Sequence, residues 1–244
     1  GLHPDSYFGS FPVSNFLLPY FANWNLYLLH EISWWAHIML VLIFLNELPY
    51  SKHFHVVMSI PNVYFSNIEN LGKMENMPSV TKEVKLMMDP NADPYATPAA
   101  DDPPPEAFGA KDVTDLNWVQ LMNAYSCTEC GRCTSECPAN QTGKLLSPRK
   151  IMMDTRQRLK EVGKNIDKHG KDYTDNKSLL NDYISTEELW ACTTCNACTQ
   201  ACPLNIDPLS IIVDLRRHLV MEQSAAPQEL NMMFNNIENN GAPW

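Results

Sequence analysis

The sequence predicts an all-α fold, in which one transmembrane helix is followed by a helical domain. Three observations lead to this prediction. Residues 24–48 form an apolar run that contains no Pro, Gly, Lys or Arg. Beyond residue 111, apolar residues recur at helical spacing between capping signals. Almost no stretch alternates with period two, so we expect little or no sheet.

Composition narrows the class of protein. The chain has 244 residues, and its 18 Lys plus Arg against 28 Asp plus Glu give a formal net charge of −10. This acidic balance argues against a nucleic-acid binder, which needs a basic face. Because the chain begins at Gly1 and not at Met, we expect it to be either a processed chain or a piece of a longer protein.

Four segments follow from these patterns. They are an irregular extracytoplasmic segment (1–21), a transmembrane helix (22–57), a Pro-rich linker (58–110) and a C-terminal helical domain (111–244). The linker contains six prolines and five acids within residues 89–106, without a basic residue. This composition is typical of an extended spacer.

The apolar run is long enough to cross a bilayer. At about 1.5 Å per residue it spans roughly 37 Å, against a hydrocarbon core of about 30 Å. Trp24 and Tyr50 would lie in the interfacial aromatic belts. The alternative is a buried helix of a large soluble protein. No Lys or Arg precedes Lys52, so the positive-inside rule places the C-terminal side in the cytoplasm and the helix in the cell inner membrane.

Helix boundaries can be predicted within the C-terminal domain. We expect N-caps at Thr114, Ser147 and Asp207, a capping box from Ser185 to Glu188, and a helix stop at Gly163.

All eight cysteines fall in two runs of the same pattern. CTECGRCTSECP covers Cys127 to Pro138, and CTTCNACTQACP covers Cys192 to Pro203. Both read C-x2-C-x2-C-x3-C-P, the run with which bacterial ferredoxins hold [4Fe–4S] clusters. Zinc would leave the third Cys of each run idle, and a disulfide framework belongs to small secreted domains. The sequence therefore predicts two [4Fe–4S] clusters.

The fourth Cys of each run is expected to complete the cluster of the other run, because the Cys before Pro points away from its own loop. One ligand set is then Cys127, Cys130, Cys133 and Cys202. The other ligand set is Cys192, Cys195, Cys198 and Cys137.

The spacing between the runs carries a family resemblance. The 54 residues between Cys137 and Cys192 are helical in pattern, with Ile151, Met152 and Leu159 on one face. This arrangement resembles the α-helical ferredoxin domain of succinate dehydrogenase iron–sulfur subunits and heterodisulfide reductase subunits. The resemblance implies an α-helical, ferredoxin-like dicluster domain.

Two histidines mark the apolar helix. His37 and His55 are 18 residues apart, so on a continuous helix they would share one face, about 27 Å apart. The stretch that joins them contains LPYSK at 48–52 and resembles the last haem-binding helix of the respiratory nitrate reductase gamma subunit. The resemblance implies that His37 and His55 are axial ligands, one for each of two b-type haems. The facing ligands would come from helices outside this chain.

Together these features resemble the membrane-bound, heterodisulfide-reductase-related iron–sulfur oxidoreductases. No nucleophile, Gly-rich phosphate loop or carboxylate pair stands out, so we expect the electron-transfer part of an oxidoreductase. The predicted function is electron transfer between a quinone pool, through b-type haem, and a cytoplasmic partner, through the two clusters. The expected partners are the membrane, quinone and other subunits of a redox complex. The alternative is a haem-free, membrane-anchored subunit that docks a soluble redox partner.

Overall fold

The computed structural model describes residues 12–21, 25–51, 53–74, 76–89, 107–171 and 173–244. Within these ranges the chain is helical and has no strand, apart from one isolated bridge between Leu180 and Ile184. The expectation of little or no sheet is confirmed for this part of the chain. Residues 90–106 of the predicted linker, together with Trp24 and Lys52, lie outside the described residues.

The described residues form two compact units that divide between Phe54 and His55. The first unit contains helices α1 (Pro12–Phe21) and α2 (Leu26–Glu47) and a 3-10 turn at Leu48–Tyr50. The sequence predicts an irregular segment over 1–21, but its second half is helical. Apolar side chains at Val13, Phe16, Leu17 and Tyr20 give this segment the helical spacing.

Helix α2 is apolar on every side. Asn25 caps it, since its side-chain oxygen accepts a hydrogen bond from the Leu28 amide at 3.2 Å. Large apolar side chains are exposed all around the helix, among them Trp35 (57% exposed) and Leu40 (65%). The stretch from Tyr27 to Tyr50 is long and apolar enough to cross a membrane, by length and composition. A helix that is apolar all round is typical of a membrane span or of a large buried core.

Helix α2 ends at Glu47, so the prediction of one continuous helix from His37 to His55 is wrong. Pro49 lacks the N–H that a helix needs, and α2 passes into the 3-10 turn. Ser51 is extended (φ −92°, ψ 170°), and its hydroxyl accepts a hydrogen bond from the His53 amide. The next helix, α3 (Phe54–Tyr64), then begins. The 18-residue spacing therefore does not place the two histidines on one face of one helix.

The second unit contains α3 and ten further helices within the described residues. These are α4 (Pro78–Met88), α5 (Trp118–Ser126), α6 (Arg132–Ser135), α7 (Pro138–Gln141), α8 (Pro148–His169), α9 (Leu179–Asp182), α10 (Thr186–Trp190), α11 (Ala197–Gln200), α12 (Pro208–Arg217) and α13 (Gln228–Asn240). A 3-10 turn at Val113–Asp115 precedes α5, and a π-helical turn at His218–Glu222 follows α12.

The core of this unit lies between α8, α12 and α5. Ile151 and Met152 of α8 and Ile211 and Leu215 of α12 are almost completely buried. Arg158 of α8 is also buried and binds two carboxylates, which neutralise its charge. The core thus contains α8 and α12, each of which follows one cysteine run in the chain.

The predicted helix boundaries are confirmed at three of five positions. Ser147, Asp207 and the capping box of Ser185 with Glu188 cap their helices as expected. Two predictions are wrong. Asn117, not Thr114, caps α5, because it forms a reciprocal box with the Gln three residues later. Gly163 does not stop α8, which continues to His169 and ends at Gly170 with φ +92°.

Candidate metal centre

The two cysteine runs adopt the same backbone. The third residue of each run has a left-handed φ, at Glu129 (58°) and Thr194 (56°). The fifth residue is left-handed too, at Gly131 (82°) and Asn196 (60°), and begins a four-residue helix. Left-handed backbone is unfavourable for Glu and especially for β-branched Thr. It persists here in both runs at matching positions, which indicates a loop shaped for a ligand.

The left-handed turn directs an amide toward a sulfur. The Thr194 N–H donates to Cys192 Sγ at 3.4 Å. At the matching position, the Glu129 N–H hydrogen-bonds Cys127 and thereby lowers its pKa, although burial, the larger effect, raises that pKa. Backbone N–H groups that point at sulfur stabilise a thiolate ligand, so the turn favours the thiolate form of the first Cys of each run.

The fourth Cys of the second run meets the first run. Cys127, Cys130, Cys133 and Cys202 line one open cavity in the second unit. Cys198 also contributes to the wall. The short helices α6 and α11, which carry Cys133 and Cys198, pack against each other. We call the surroundings of the first four thiols the first cluster site.

The remaining cysteines form a second group. The Cys192 thiol lies close enough to Cys137 and Cys195 for these neighbours to raise its pKa further, after burial as the main cause. Cys198 is likewise influenced by Cys192. We call the surroundings of Cys192, Cys195, Cys198 and Cys137 the second cluster site. The structure thus places Cys202 beside the thiols of the first run and Cys137 near Cys192, and the ligation of two clusters by these sets stays a prediction.

The chemistry of these donors fits iron–sulfur clusters. All eight thiols are free, and none is in a disulfide. No three His, Cys, Asp or Glu side chains of the described residues converge tightly enough for a single ion. Five of the thiols instead line the open cavity beside the first run. Burial raises the pKa of the Cys198 thiol to about 12, so this thiol needs a cationic ligand to become a thiolate.

Two arginines stabilise the loops by donating hydrogen bonds to loop carbonyls, and the sequence analysis missed both. Arg156 of α8 donates to the carbonyl oxygen of Cys127 at 3.1 Å and pairs with Glu129. Arg216 of α12 donates to the carbonyl oxygen of Cys192 at 2.6 Å. Each arginine thus holds the first Cys of one run. The signal that could have found them is their common position, nine residues after the helix N-cap.

A second pair of matching contacts joins each loop to its helix. The hydroxyls of Thr134 and Ser147 hydrogen-bond at 2.8 Å, and Ser147 caps α8. The Thr199 hydroxyl donates to Asp207 Oδ1 at 3.1 Å, and Asp207 caps α12. The two halves of the domain are therefore structural repeats: a cysteine loop, a threonine tie, a capped helix and an arginine support.

Helix α3 packs against the segments that flank the cysteines. Asn62, which is 1% exposed, donates from Nδ2 to the Leu204 carbonyl at 2.9 Å. The Ser126 hydroxyl, next to Cys127, donates to the Met58 carbonyl at 3.1 Å. These contacts fix the helix that begins near His55 against the first cluster site. Sequence spacing gave no sign of them, because the partners are 68 and 142 residues apart.

The predicted haem ligands lie in different units. His37 is exposed on α2, and His55 is partly buried near the start of α3. Their ligation of haem stays a prediction.

Comparisons with known proteins agree with the geometry. The family "4Fe-4S dicluster domain" matches residues 126–206, the segment that contains both cysteine loops. The chain is related to iron–sulfur oxidoreductases. It is 33% identical to "Probable iron-sulfur-binding oxidoreductase FadF" of Bacillus subtilis (strain 168) over 87% of this chain and 31% of that protein.

Two further relatives extend the comparison. "EtfAB:quinone oxidoreductase" of Syntrophomonas wolfei subsp. wolfei is 30% identical over 98% of this chain and 32% of the relative. One subunit of the ferredoxin/F(420)H(2)-dependent CoB-CoM heterodisulfide reductase of Methanosarcina acetivorans is 32% identical over 49% of this chain and 60% of the relative. The chain spans about a third of the length of the first two relatives. The predicted link to iron–sulfur oxidoreductases is confirmed.

Proposed function

We propose that this iron–sulfur electron-transfer protein connects a quinone pool in the inner membrane with a redox partner on the cytoplasmic side. The observation that carries the proposal is the crossed grouping of eight free thiols around two adjacent sites. A [4Fe–4S] cluster supplies a one-electron couple. Two such sites on one packed pair of helices, α6 and α11, would conduct electrons without chemistry on a substrate.

The ligand sets of the proposal follow the two groups. Cys127, Cys130, Cys133 and Cys202 hold one cluster, and Cys192, Cys195, Cys198 and Cys137 hold the other. The protein contributes burial, the N–H groups that point at sulfur, and the two supporting arginines. These are the means by which a protein tunes such a centre.

Helix α2 is proposed as the membrane span, with the cluster domain on the cytoplasmic side. Its exposed apolar circumference supports the span, and the absence of Lys and Arg before Lys52 supports the orientation. The quinone is supported by the printed name of one relative, an EtfAB:quinone oxidoreductase. Partner subunits are supported by the relative that belongs to a heterodisulfide reductase.

The haem part of the proposal rests on His37 and His55. His37 is exposed at the middle of an apolar helix, where a polar ring is costly unless it has a partner. His55 is two helical turns, about 10 Å along α3, from Asn62, which contacts the segment after Cys202. In a gamma-subunit-like cytochrome b arrangement, each histidine would ligate one b-type haem, and facing helices would supply the opposite ligands.

Metal and sulfide analysis tests the clusters. Anaerobically purified protein should contain about eight irons and about eight acid-labile sulfides, and reduction should give two interacting electron paramagnetic resonance (EPR) signals. Stoichiometric zinc without acid-labile sulfide would contradict the cluster proposal.

Haem analysis of the full-length protein in its native membrane tests the cytochrome proposal. His37→Ala should remove one b-type haem and His55→Ala the other, as measured by pyridine haemochrome absorbance, while iron–sulfur signals persist. His169→Ala is the matched control, because His169 stacks on Tyr173 at the end of α8. Absence of haem, or full haem in both variants, would leave the haem-free anchor as the function of α2.

A further inference from the structure

The repeated architecture allows the two cluster sites to be compared residue by residue. The loops align Cys127 with Cys192, and the helices align the N-caps Ser147 and Asp207. Under this alignment Arg156 matches Arg216, and each contacts the first Cys of its own run. Matching residues therefore occupy equivalent places in the two halves, and a charge that is present in one half only distinguishes the two sites.

Two cations occur at the first cluster site only. Arg132 and Arg149 both line its cavity, and the matching residues of the second half are Ala197 and Leu209. Both arginines are exposed, and neither forms an ion pair within the part of the chain that the structure describes. Their charges are thus not compensated by a carboxylate of the described residues.

The second cluster site has the more acidic surroundings. Its helix cap is the carboxylate of Asp207, where the first half has the neutral Ser147. Glu136 precedes Cys137, which belongs to the second site, and the matching residue is Ala201.

The supporting arginines differ in charge in the opposite direction, because the uncompensated one belongs to the second site. Arg156 is neutralised by Glu129, whereas Arg216 donates to backbone carbonyls, stacks on Trp190 and has no carboxylate partner among the described residues. At the second site, the positive charge of Arg216 is offset by the negative charge of Asp207. At the first site, two uncompensated cations remain.

We propose that Arg132 and Arg149 make the first cluster site the electron sink of the pair. The inference rests on the proposed clusters. One electron leaves the second site, which is oxidised, and enters the first site, which is reduced, with no bond broken. The added negative charge is stabilised where the uncompensated guanidinium groups lie. The sink then faces α3, which contacts the segments on both sides of the first site.

An EPR-monitored redox titration of the holoprotein tests the inference. The reduced population should favour the first site by at least about tenfold, which equals about 59 mV for a one-electron couple. The double variant Arg132→Ala, Arg149→Leu copies the residues of the second half. It should lower the reduction potential of the higher-potential signal by about 59 mV, which is a tenfold change in its reduced population. The reciprocal variant Ala197→Arg should raise the reduction potential of the lower-potential signal.

Lys168→Leu is the matched control. It removes a cation from the same helix as Arg149, about 28 Å farther along its axis and beyond the screening length at physiological salt. It should leave both potentials unchanged.

The outcomes separate this inference from the proposed function. If the double variant shifts the lower-potential signal, or shifts neither signal, the electron sink is not at the first site and the inference fails while the clusters stand. If acid-labile sulfide is absent from the wild-type protein, the proposed function itself fails.

Discussion

The two cysteine loops are built alike but are surrounded by different side chains. Both turn twice through left-handed backbone, although the residues there are Glu129 and Gly131 in one loop and Thr194 and Asn196 in the other. Only Gly adopts this conformation without cost, and Asn does so with little. Because unsuited residues adopt the same turn, ligand geometry and not local preference determines the loop. The surrounding residues are then free to vary and to adjust each site.

The supports of the two loops show the same division. An arginine holds the carbonyl of the first Cys in each half, but only Arg156 is neutralised by a carboxylate. A threonine ties each loop to a helix cap, but only Thr199 bonds to a charged partner. Geometry is repeated and charge is not. A protein that moves electrons between two similar centres needs this combination, because similar ligands alone would give similar potentials.

The largest expected effect comes from breaking the crossed ligation. Cys202→Ala lies in the second run but should abolish the cluster of the first site, and Cys137→Ala should abolish that of the second. Each variant should retain about four of about eight irons. Iron analysis and EPR spectroscopy of anaerobically purified protein measure the loss.

Two exposed cysteines provide the controls for this exchange. Cys130→Ala removes a ligand of the first site, and Cys195→Ala removes one of the second. The spectrum of Cys202→Ala should match that of Cys130→Ala. A match to Cys195→Ala would show that each run ligates its own cluster, and the comparison would have to be redrawn.

A smaller effect is expected from removing the supporting arginines. Arg216→Met leaves the half-buried carbonyls of Leu189 and Cys192 without their donor, so we expect a cost of about 2 kcal/mol. Arg156→Met removes one such bond and an exposed pair with Glu129, so we expect about 1 kcal/mol. These costs correspond to about 30-fold and about 5-fold faster cluster loss.

Anaerobic decay of visible absorbance in the presence of an iron chelator measures these rates. Arg→Lys at each position keeps the charge but not the two-pronged geometry, and it should restore Arg156 more fully than Arg216. Equal acceleration by the two Met variants would mean that the unequal pairing of the arginines has no energetic consequence.

Sequence predicted those parts of the site that depend on neighbours in the chain. The caps at Ser147 and Asp207 are local signals, and the structure confirms both. The cysteine spacing is a local signal too, and the family match over residues 126–206 supports iron–sulfur clusters. The supports were missed because Arg156 contacts a residue 29 positions away, and an isolated Arg on a helix is typical of a solvated side chain. The packing of α3 was missed for the same reason, since Asn62 and Leu204 are 142 residues apart.

The break at Pro49 shows a different limit. The 18-residue spacing of His37 and His55 suggests five turns of one helix, although Pro49 lies between them. The missing N–H and the extended Ser51 end the helix there, so a periodicity argument fails once a helix terminator lies inside the period. A spacing argument is reliable within one element and not across two.

The smallest single effect is expected at Thr134, and the two threonine ties together test whether charge or geometry distinguishes the halves. The bond from Thr199 to Asp207 is charge-assisted, but Asp207 keeps two backbone donors, from Leu209 and Ser210, when the hydroxyl is removed. We expect Thr199→Val to lower the free energy of unfolding by about 1.5 kcal/mol. Thr134→Val breaks a neutral pair with Ser147 and should cost about 0.5 kcal/mol. Anaerobic urea denaturation of the holoprotein measures both, and Thr→Ser at each position, which keeps the hydroxyl, is the control. A larger loss of unfolding free energy for Thr134→Val than for Thr199→Val would contradict this ranking. Packing, and not the charge of Asp207, would then determine how firmly each loop is held to its helix.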